Sequence, residues 1–323
     1  MASVALLDAA AVSVVSVPPP GAHGGDAAAI ARALRVEVGE LLDLSASLNP
    51  VAPDVSVVVA RHLDALHRYP DATVATAAMA EVLGVLPSQL LLTNGGSEAI
   101  ALVAAEMGEG AVVAPEFSLY ERHLRKVVDD APRWRSNPSS PLGLLAAANE
   151  RARVWDEAFY QLATGTWTRG DVATGAFVVG SLTKLFSCPG LRVGYVMSED
   201  EQAMDRLRMA QPRWSVNGLV CEALPSMLAG ADLTTWSRAV ATLRSQLVHV
   251  LTAAELTCRP GVANWVLVES PGLRERLIPH GVVIRDCASF GLPGVMRIAV
   301  PDAAGLECLE QALARVNRGE GLR

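Results

Sequence analysis

Two apolar runs, Ala176-Phe177-Val178-Val179 and Val193-Gly194-Tyr195-Val196, bracket a single lysine, Lys184, and they constrain the fold more than any other stretch. Both runs have the length and residue types of buried strands. Between them lie Gly180-Ser181-Leu182-Thr183 and Ser187-Cys188-Pro189-Gly190, small and hydroxylated residues instead of the charged neighbours of an ordinary surface lysine. Burial disfavours the charged form of an amine, and the free base can condense with an aldehyde to a Schiff base. A structural lysine in a tight loop is the other reading of the same residues.

The flanking sequence repeats the strand pattern. Short apolar runs at 41–44, 90–92, 111–114, 154–155 and 177–179 alternate with helical patterns at 26–35, 55–66, 73–83 and 98–107. That alternation predicts an α/β fold with a doubly wound, mostly parallel sheet, and places function at the strand C-termini. After residue 197 the pattern becomes helical, 199–209 and 218–256, with breaks expected near Pro212 and Pro225. Short strands at 264–269, 282–285 and 295–300 and a closing helix at 305–316 predict a small C-terminal α+β domain. The expected partition is an N-terminal arm, 1–25, ending past Pro18-Pro19-Pro20-Gly21; a large domain, 26–210; and a long helical region with the small domain, 211–323. A chain of 323 residues suits this division, since single domains usually run to about 100–200 residues.

Composition excludes several function classes. The net charge is −7 and no Lys/Arg block occurs, so no electrostatic footprint for nucleic acid is present. Cys188, Cys221, Cys258, Cys287 and Cys308 are widely spaced and form no CxxC, which argues against a disulfide framework or a zinc site and suits a reducing, cytoplasmic location. The apolar first seventeen residues contain Asp8 and no basic segment, and no run has the length of a membrane span. A hydrophobic share of 51% with only 5% aromatics predicts a core of packed aliphatics.

Ser181-Leu182-Thr183-Lys184, followed eight residues later by Arg192, resembles the cofactor-lysine motif of the fold type I pyridoxal phosphate enzymes. Such a site needs a Schiff-base lysine, a carboxylate on the pyridine nitrogen, a phosphate cup and a ring-stacking group. Asp156 ends an apolar run, where it can meet a buried cationic nitrogen; a strand-end Asp also commonly caps a helix. Thr93-Asn94-Gly95-Gly96-Ser97-Glu98 lies between strand and helix, so Gly96 and Ser97 can present amides to an anion, although many such turns carry Gly and Ser for geometry alone. Ser181, Thr183 and Arg192 would add hydroxyl and guanidinium donors. Phe117 is placed to stack on the ring or to fill the core.

The resemblance extends over about residues 23–317. It rests on His23-Gly24-Gly25, Leu42-Asp43-Leu44-Ser45, Asn49-Pro50, Arg68-Tyr69-Pro70-Asp71, Asp156-Glu157-Ala158-Phe159, Trp214-Ser215-Val216-Asn217, Ile284-Arg285-Asp286-Cys287-Ala288-Ser289-Phe290 and Arg297-Ile298-Ala299-Val300, in that order. It is similar to the histidinol-phosphate aminotransferase-like branch, and within it to the cobalamin-pathway L-threonine-O-3-phosphate decarboxylases. The resemblance implies pyridoxal 5′-phosphate as cofactor, a phosphorylated amino acid as substrate and a homodimer in which Tyr69 reaches the partner's cofactor phosphate. It implies Arg297 for the substrate α-carboxylate, Arg285 with His23 for a second anionic group, and Asn217 in the same pocket. The activity implied is decarboxylation of L-threonine O-3-phosphate to (R)-1-amino-2-propanol phosphate, with an aminotransferase or a noncatalytic cofactor-binding protein as alternatives. Read as isolated residues, Tyr69 fits a turn, the arginines and His23 fit solvated charges or caps, and Asn217 fits a structural hydrogen bond.

Two departures stand out. Asn137-Pro138-Ser139-Ser140-Pro141-Leu142-Gly143 matches the family's NPNNPTG loop, but Ser140 occupies the position of the asparagine that bonds the cofactor 3′-oxygen, and Phe159 replaces a tyrosine that often does the same. Losing both donors predicts a raised pKa for the Schiff base. The connections from Tyr120 to Asn137 and from Gly143 to Asp156 are also shorter than the family's, as in a large domain pruned at its edge.

Overall fold

A computed structural model describes residues 17–21 and 23–319. The expectations for residues 1–16 lie outside the described residues. In chain order the strands are β1 (Leu42–Asp43), β2 (Leu90–Thr93), β3 (Glu109–Val112), β4 (Lys126–Val127), β5 (Arg133–Ser136), β6 (Val154–Asp156) and β7 (Phe177–Ser181). There follow β8 (Gly194–Met197), β9 (Cys258–Pro260), β10 (Trp265–Glu269), β11 (Val282–Val283), β12 (Arg285–Asp286) and β13 (Val295–Ala299).

The chain divides into two compact units, one of residues 51–239 and one joining the chain up to Pro50 with the chain from Val240. The sequence reading places the boundaries at 25 and 210; the structure moves residues 26–50 into the C-terminal unit and residues 211–239 into the large one. Packing explains both shifts. Strand β1 pairs in parallel with β11, Leu42 opposite Val282, and Ile30 and Ala31 of helix Ala27–Leu34 share a core with Ile278 and Val283. Helix Gly218–Ala229 packs on helix Thr73–Leu83.

In the 51–239 unit a seven-stranded sheet has the order β2-β8-β7-β6-β5-β3-β4, with β8 antiparallel to both of its neighbours and the remaining pairs parallel. Strands β6 and β7 are buried along their whole length, which is why their sequences read as continuous apolar runs instead of alternating ones. Register decides the site: Ser136 lies opposite Asp156, and Asp156 opposite Val179, so the C-terminal ends of β5, β6 and β7 finish side by side. Around them Ile100, Val103, Trp134, Phe177, Val196, Met204 and Leu207 form the core.

Sequence pattern and structure part company at two places. Strand β5, Arg-Trp-Arg-Ser, escapes an apolar-run reading because only Trp134 and Ser136 are buried while its arginines reach the partly exposed face. Pro225 does not break helix Gly218–Ala229: residues on both sides of it, Val220, Cys221, Ala223, Leu224, Met227 and Leu228, are buried, and their packing outweighs one lost backbone bond.

The second unit holds the antiparallel sheet β12-β13-β10-β9. Leu247, Leu251, Val266, Val268, Ile298 and Leu309 are among its core residues. Helix Ala303–Asn317 closes it, with the Asp302 carboxylate accepting the Gly305 amide at 2.8 Å.

Candidate active site

Asp156 finishes β6 and is buried. The Tyr120 hydroxyl donates to its Oδ2 at 2.8 Å and the Ala158 amide to its Oδ1 at 2.9 Å. Burial pushes this carboxyl above the usual range, while those donors and the charge of Lys184 act against the rise. The result is a carboxylate in an apolar setting, oriented from two sides, which suits a cationic partner. Lys184 lies on the one-turn helix Leu182–Leu185 immediately after β7, half-buried, and its charge acts on both Asp156 and Cys188. Lys184 and Asp156 are thus electrostatic neighbours, delivered by adjacent strands.

The glycine loop after β2 closes onto the same strand ends. Gly95 has φ +76° and precedes helix Gly96–Met107. A Cβ on Gly95 would collide with the Arg192 guanidinium, and one on Gly96 would stand 3.1 Å from the Ser181 Cβ. The Ser181 and Thr183 hydroxyls are 2.8 Å apart. Gly96, Ser181, Thr183 and Arg192 therefore gather around one helix N-terminus, with Ser97 exposed on its first turn; this is a cradle of amides, hydroxyls and a guanidinium for an anion. Glu98 secures the loop, accepting the Asn94 amide at 2.7 Å, the Gln211 amide group at 3.0 Å and the Ser215 hydroxyl. Asn217 caps helix Gly218–Ala229 through Val220 and donates to the Leu191 carbonyl at 2.8 Å, beside Arg192. Tyr69 is exposed (77%) and stacks on Trp214 with ring centroids 4.4 Å apart.

Sequence reasoning missed three residues here: Tyr120, Glu116 and Ser136. Phe117 meets Tyr120 edge-on at 5.8 Å. Glu116 is buried and accepts the Ser136 amide at 3.0 Å and the Ser136 hydroxyl; burial pushes its carboxyl up to about 7. The Ser140 amide donates to the Ser136 hydroxyl oxygen at 2.7 Å. An acid and a tyrosine within six residues of the apolar run 111–114 are the available signal for Glu116 and Tyr120; Ser136 was hidden because β5 itself was.

In the other unit, Arg285 and Arg297 stand directly opposite each other on β12 and β13, and both are buried. Arg285 donates to the Gly21 carbonyl at 2.7 Å and to the Ser289 hydroxyl at 2.8 Å. The Arg297 guanidinium lies 4.9 Å from the Trp265 ring and 5.9 Å from the Phe290 ring, and Nη2 reaches the Ser45 carbonyl at 3.5 Å. Burial pulls its pKa down to about 10; the ionisable groups acting on it are Arg285 and the Cys287 thiol, itself pushed up to about 11 by burial. Half-buried His23 leads into a turn packed on Ser45, whose hydroxyl accepts the Gly25 amide at 2.8 Å and whose carbonyl leaves no room for a Cβ on Gly24.

A mostly parallel sheet whose strand ends carry a buried carboxylate, a half-buried lysine and a glycine-lined loop has the fold of a fold type I pyridoxal phosphate enzyme. In fold the chain is similar to histidinol-phosphate aminotransferase from Clostridium acetobutylicum, with TM-score 0.75 and 22% identity over 86% of this chain and 100% of that one. It is likewise similar to L-threonine-O-3-phosphate decarboxylase from Porphyromonas gingivalis, with TM-score 0.74 and 20% identity over 85% and 99%. In sequence it is 32% identical to the threonine-phosphate decarboxylase of Salmonella typhimurium over 92% of this chain and 97% of the relative. It is 26% identical to a histidinol-phosphate aminotransferase of Dechloromonas aromatica over 94% and 98%. The profile of class I and II aminotransferases matches residues 138–315. The chain belongs to the class I and II aminotransferase family, whose cofactor is pyridoxal 5′-phosphate, and the cradle, Asp156 and Lys184 fit that group.

Proposed function

We propose that this protein decarboxylates a phosphorylated amino acid, L-threonine O-3-phosphate, releasing carbon dioxide and (R)-1-amino-2-propanol phosphate, the linker used in cobalamin biosynthesis. The observation that carries the reading is the buried cross-strand pair Arg285–Arg297, two cations side by side, which suits a substrate bearing two anionic groups. The likeness to the Salmonella decarboxylase supports the same choice.

In this reading the Gly96 and Ser97 amides, the Ser181 and Thr183 hydroxyls and Arg192 hold the cofactor phosphate, with Asn217 steadying the Leu191–Arg192 segment. Asp156 keeps the pyridine nitrogen protonated, and Phe117 stacks on the ring. When bound, the cofactor supplies an electron sink for the pair released at the substrate Cα. Arg297 receives the α-carboxylate and Arg285 with His23 the substrate phosphate, so that binding orients the Cα–carboxylate bond for cleavage. Lys184 would hold the cofactor through its amine and would deliver a proton to the substrate Cα after carbon dioxide has left. Tyr69, exposed and backed by Trp214, reaches the cofactor phosphate of a second subunit in a homodimer. Ser140 and Phe159 leave the 3′-oxygen with fewer donors than the family pattern provides.

Transamination is the second reading, favoured by the histidinol-phosphate aminotransferase relatives. The test incubates cofactor-loaded protein with L-threonine phosphate, with and without 2-oxoglutarate, and follows carbon dioxide and glutamate. Carbon dioxide independent of the keto acid is the expected result. Glutamate formed only with 2-oxoglutarate would make the protein an aminotransferase, and neither product would point to a noncatalytic role or another substrate.

A further inference from the structure

We propose that Glu116 is a positioning residue for this site: acting through Ser136, its carboxyl group sets both the loop at Ser140 and the Tyr120–Asp156 hydrogen bond. The inference rests on the reading of Asp156 and Ser140 as cofactor-facing groups. Glu116 lies outside every motif that carries the family resemblance.

The geometry is a chain of hydrogen bonds with a second, electrostatic branch. Glu116 Oε1 accepts the Ser136 amide at 3.0 Å and Oε2 accepts the Ser136 hydroxyl, fixing that side chain from two directions. One branch continues from Ser136 Oγ to the Ser140 amide at 2.7 Å, in the loop assigned to the cofactor 3′-oxygen. On the other branch the Ser136 side chain and the Glu116 charge both act on the Tyr120 hydroxyl, which donates to Asp156 at 2.8 Å. The remaining charged groups facing Glu116 are Arg135, whose Nη1 lies 3.5 Å from Oε1 and which also meets Glu150 at 2.9 Å, and Asp156 itself.

An ionised Glu116 takes the Ser136 hydrogen and leaves the Oγ lone pairs for the Ser140 amide. A protonated Glu116 donates to the same oxygen, which turns the Ser136 hydrogen toward Tyr120 and strengthens the hold on Asp156. Burial brings this carboxyl to about 7, so both forms are populated near neutrality.

The test measures the cofactor dissociation constant, the pH midpoint of the bound cofactor's visible spectrum and the apoprotein melting temperature for wild type, Glu116→Gln and Glu116→Ala. Gln reproduces the donating form, so E116Q should keep wild-type affinity and melt at least as high as wild type while its spectral midpoint moves. E116A should bind pyridoxal phosphate about tenfold more weakly and also move the midpoint. An unmoved midpoint in E116Q, or an E116A variant that loses melting temperature alone, overturns the proposal. Should E116A fail to fold, Ser136→Ala cuts the same link; unchanged affinity and midpoint in that variant overturn it equally. A wild type that binds no cofactor, or a Lys184→Ala variant that keeps the visible band, overturns the site reading itself, and neither result depends on Glu116.

Discussion

Around the residues assigned to the site, the two units hold charge differently. At the strand ends of the 51–239 unit, acids are matched within the protein: Asp156 by Tyr120 and the Ala158 amide, Glu116 by Ser136 and Arg135, Glu150 by Arg133 and Arg135. In the other unit Arg297 is buried against two aromatic rings and a distant carbonyl, beside a thiol and a second arginine. A matched charge is set before any ligand arrives; an unmatched guanidinium carries a desolvation cost that an incoming anion relieves. In the proposed reading, this difference separates groups that prepare chemistry from groups that select the substrate.

The largest effect should follow from removing the reactive amine. Lys184→Ala should abolish the cofactor's visible lysine-bound absorption and lower turnover by about 10²–10⁴-fold, the usual worth of a positioned proton carrier, measured by spectrum and initial rates. Retained turnover would place the chemistry elsewhere and end the comparison. Asp156→Asn should lower kcat by roughly 10²–10³-fold with a smaller change in KM, since it removes a charge held toward the cofactor instead of a substrate contact.

Arg297→Met sharpens the contrast because it separates stability from recognition. Replacing an unmatched buried guanidinium by an apolar side chain should leave the substrate-free protein as stable or raise its stability by about 1–4 kcal/mol, while kcat/KM falls by roughly 10²-fold. A large drop in melting temperature would show that Arg297 is matched after all.

Stability should also respond to pH through Glu116 and Glu157, both pushed by burial to about 7. Each binds a proton more readily in the folded than in the unfolded chain, so the folded state holds more protons between about 4.5 and 7. Stability is then highest below this window and falls as pH rises through it, by on the order of 1–3 kcal/mol per group. Thermal melts of the apoprotein across the window, with Glu157→Gln flattening part of the slope, measure this. The smallest effect belongs to Ser140→Asn: restoring a donor at the 3′-oxygen should lower the spectral pH midpoint by about one unit, and an unmoved midpoint would place Ser140 away from that atom.

Much of this was legible in one dimension. Fully buried parallel strands announce themselves as unbroken apolar runs, so β6 and β7 could be located, and with them Asp156 at the C-terminal end of β6 and Lys184 just beyond that of β7. Glycines before a helix mark a close backbone approach, and Gly95 and Gly96 do crowd Arg192 and Ser181. Strand β5 was not legible, because alternating arginines hide a half-buried strand, and so the Glu116–Ser136–Ser140 chain was invisible. The unit boundaries were not legible either: β1 belongs with β11, a partner about 240 residues away in the chain, and no local pattern encodes such a pairing.

Local chemistry therefore determined by itself which residues carry reactive or binding groups, and periodicity determined which of them end strands, because both depend on neighbours in the chain. Which hydroxyl meets which carboxylate, and that Arg285 faces Arg297, depends on strand register and long-range pairing. Those are settled only when the whole core packs, since a one-residue slip would turn each of these side chains to the opposite face.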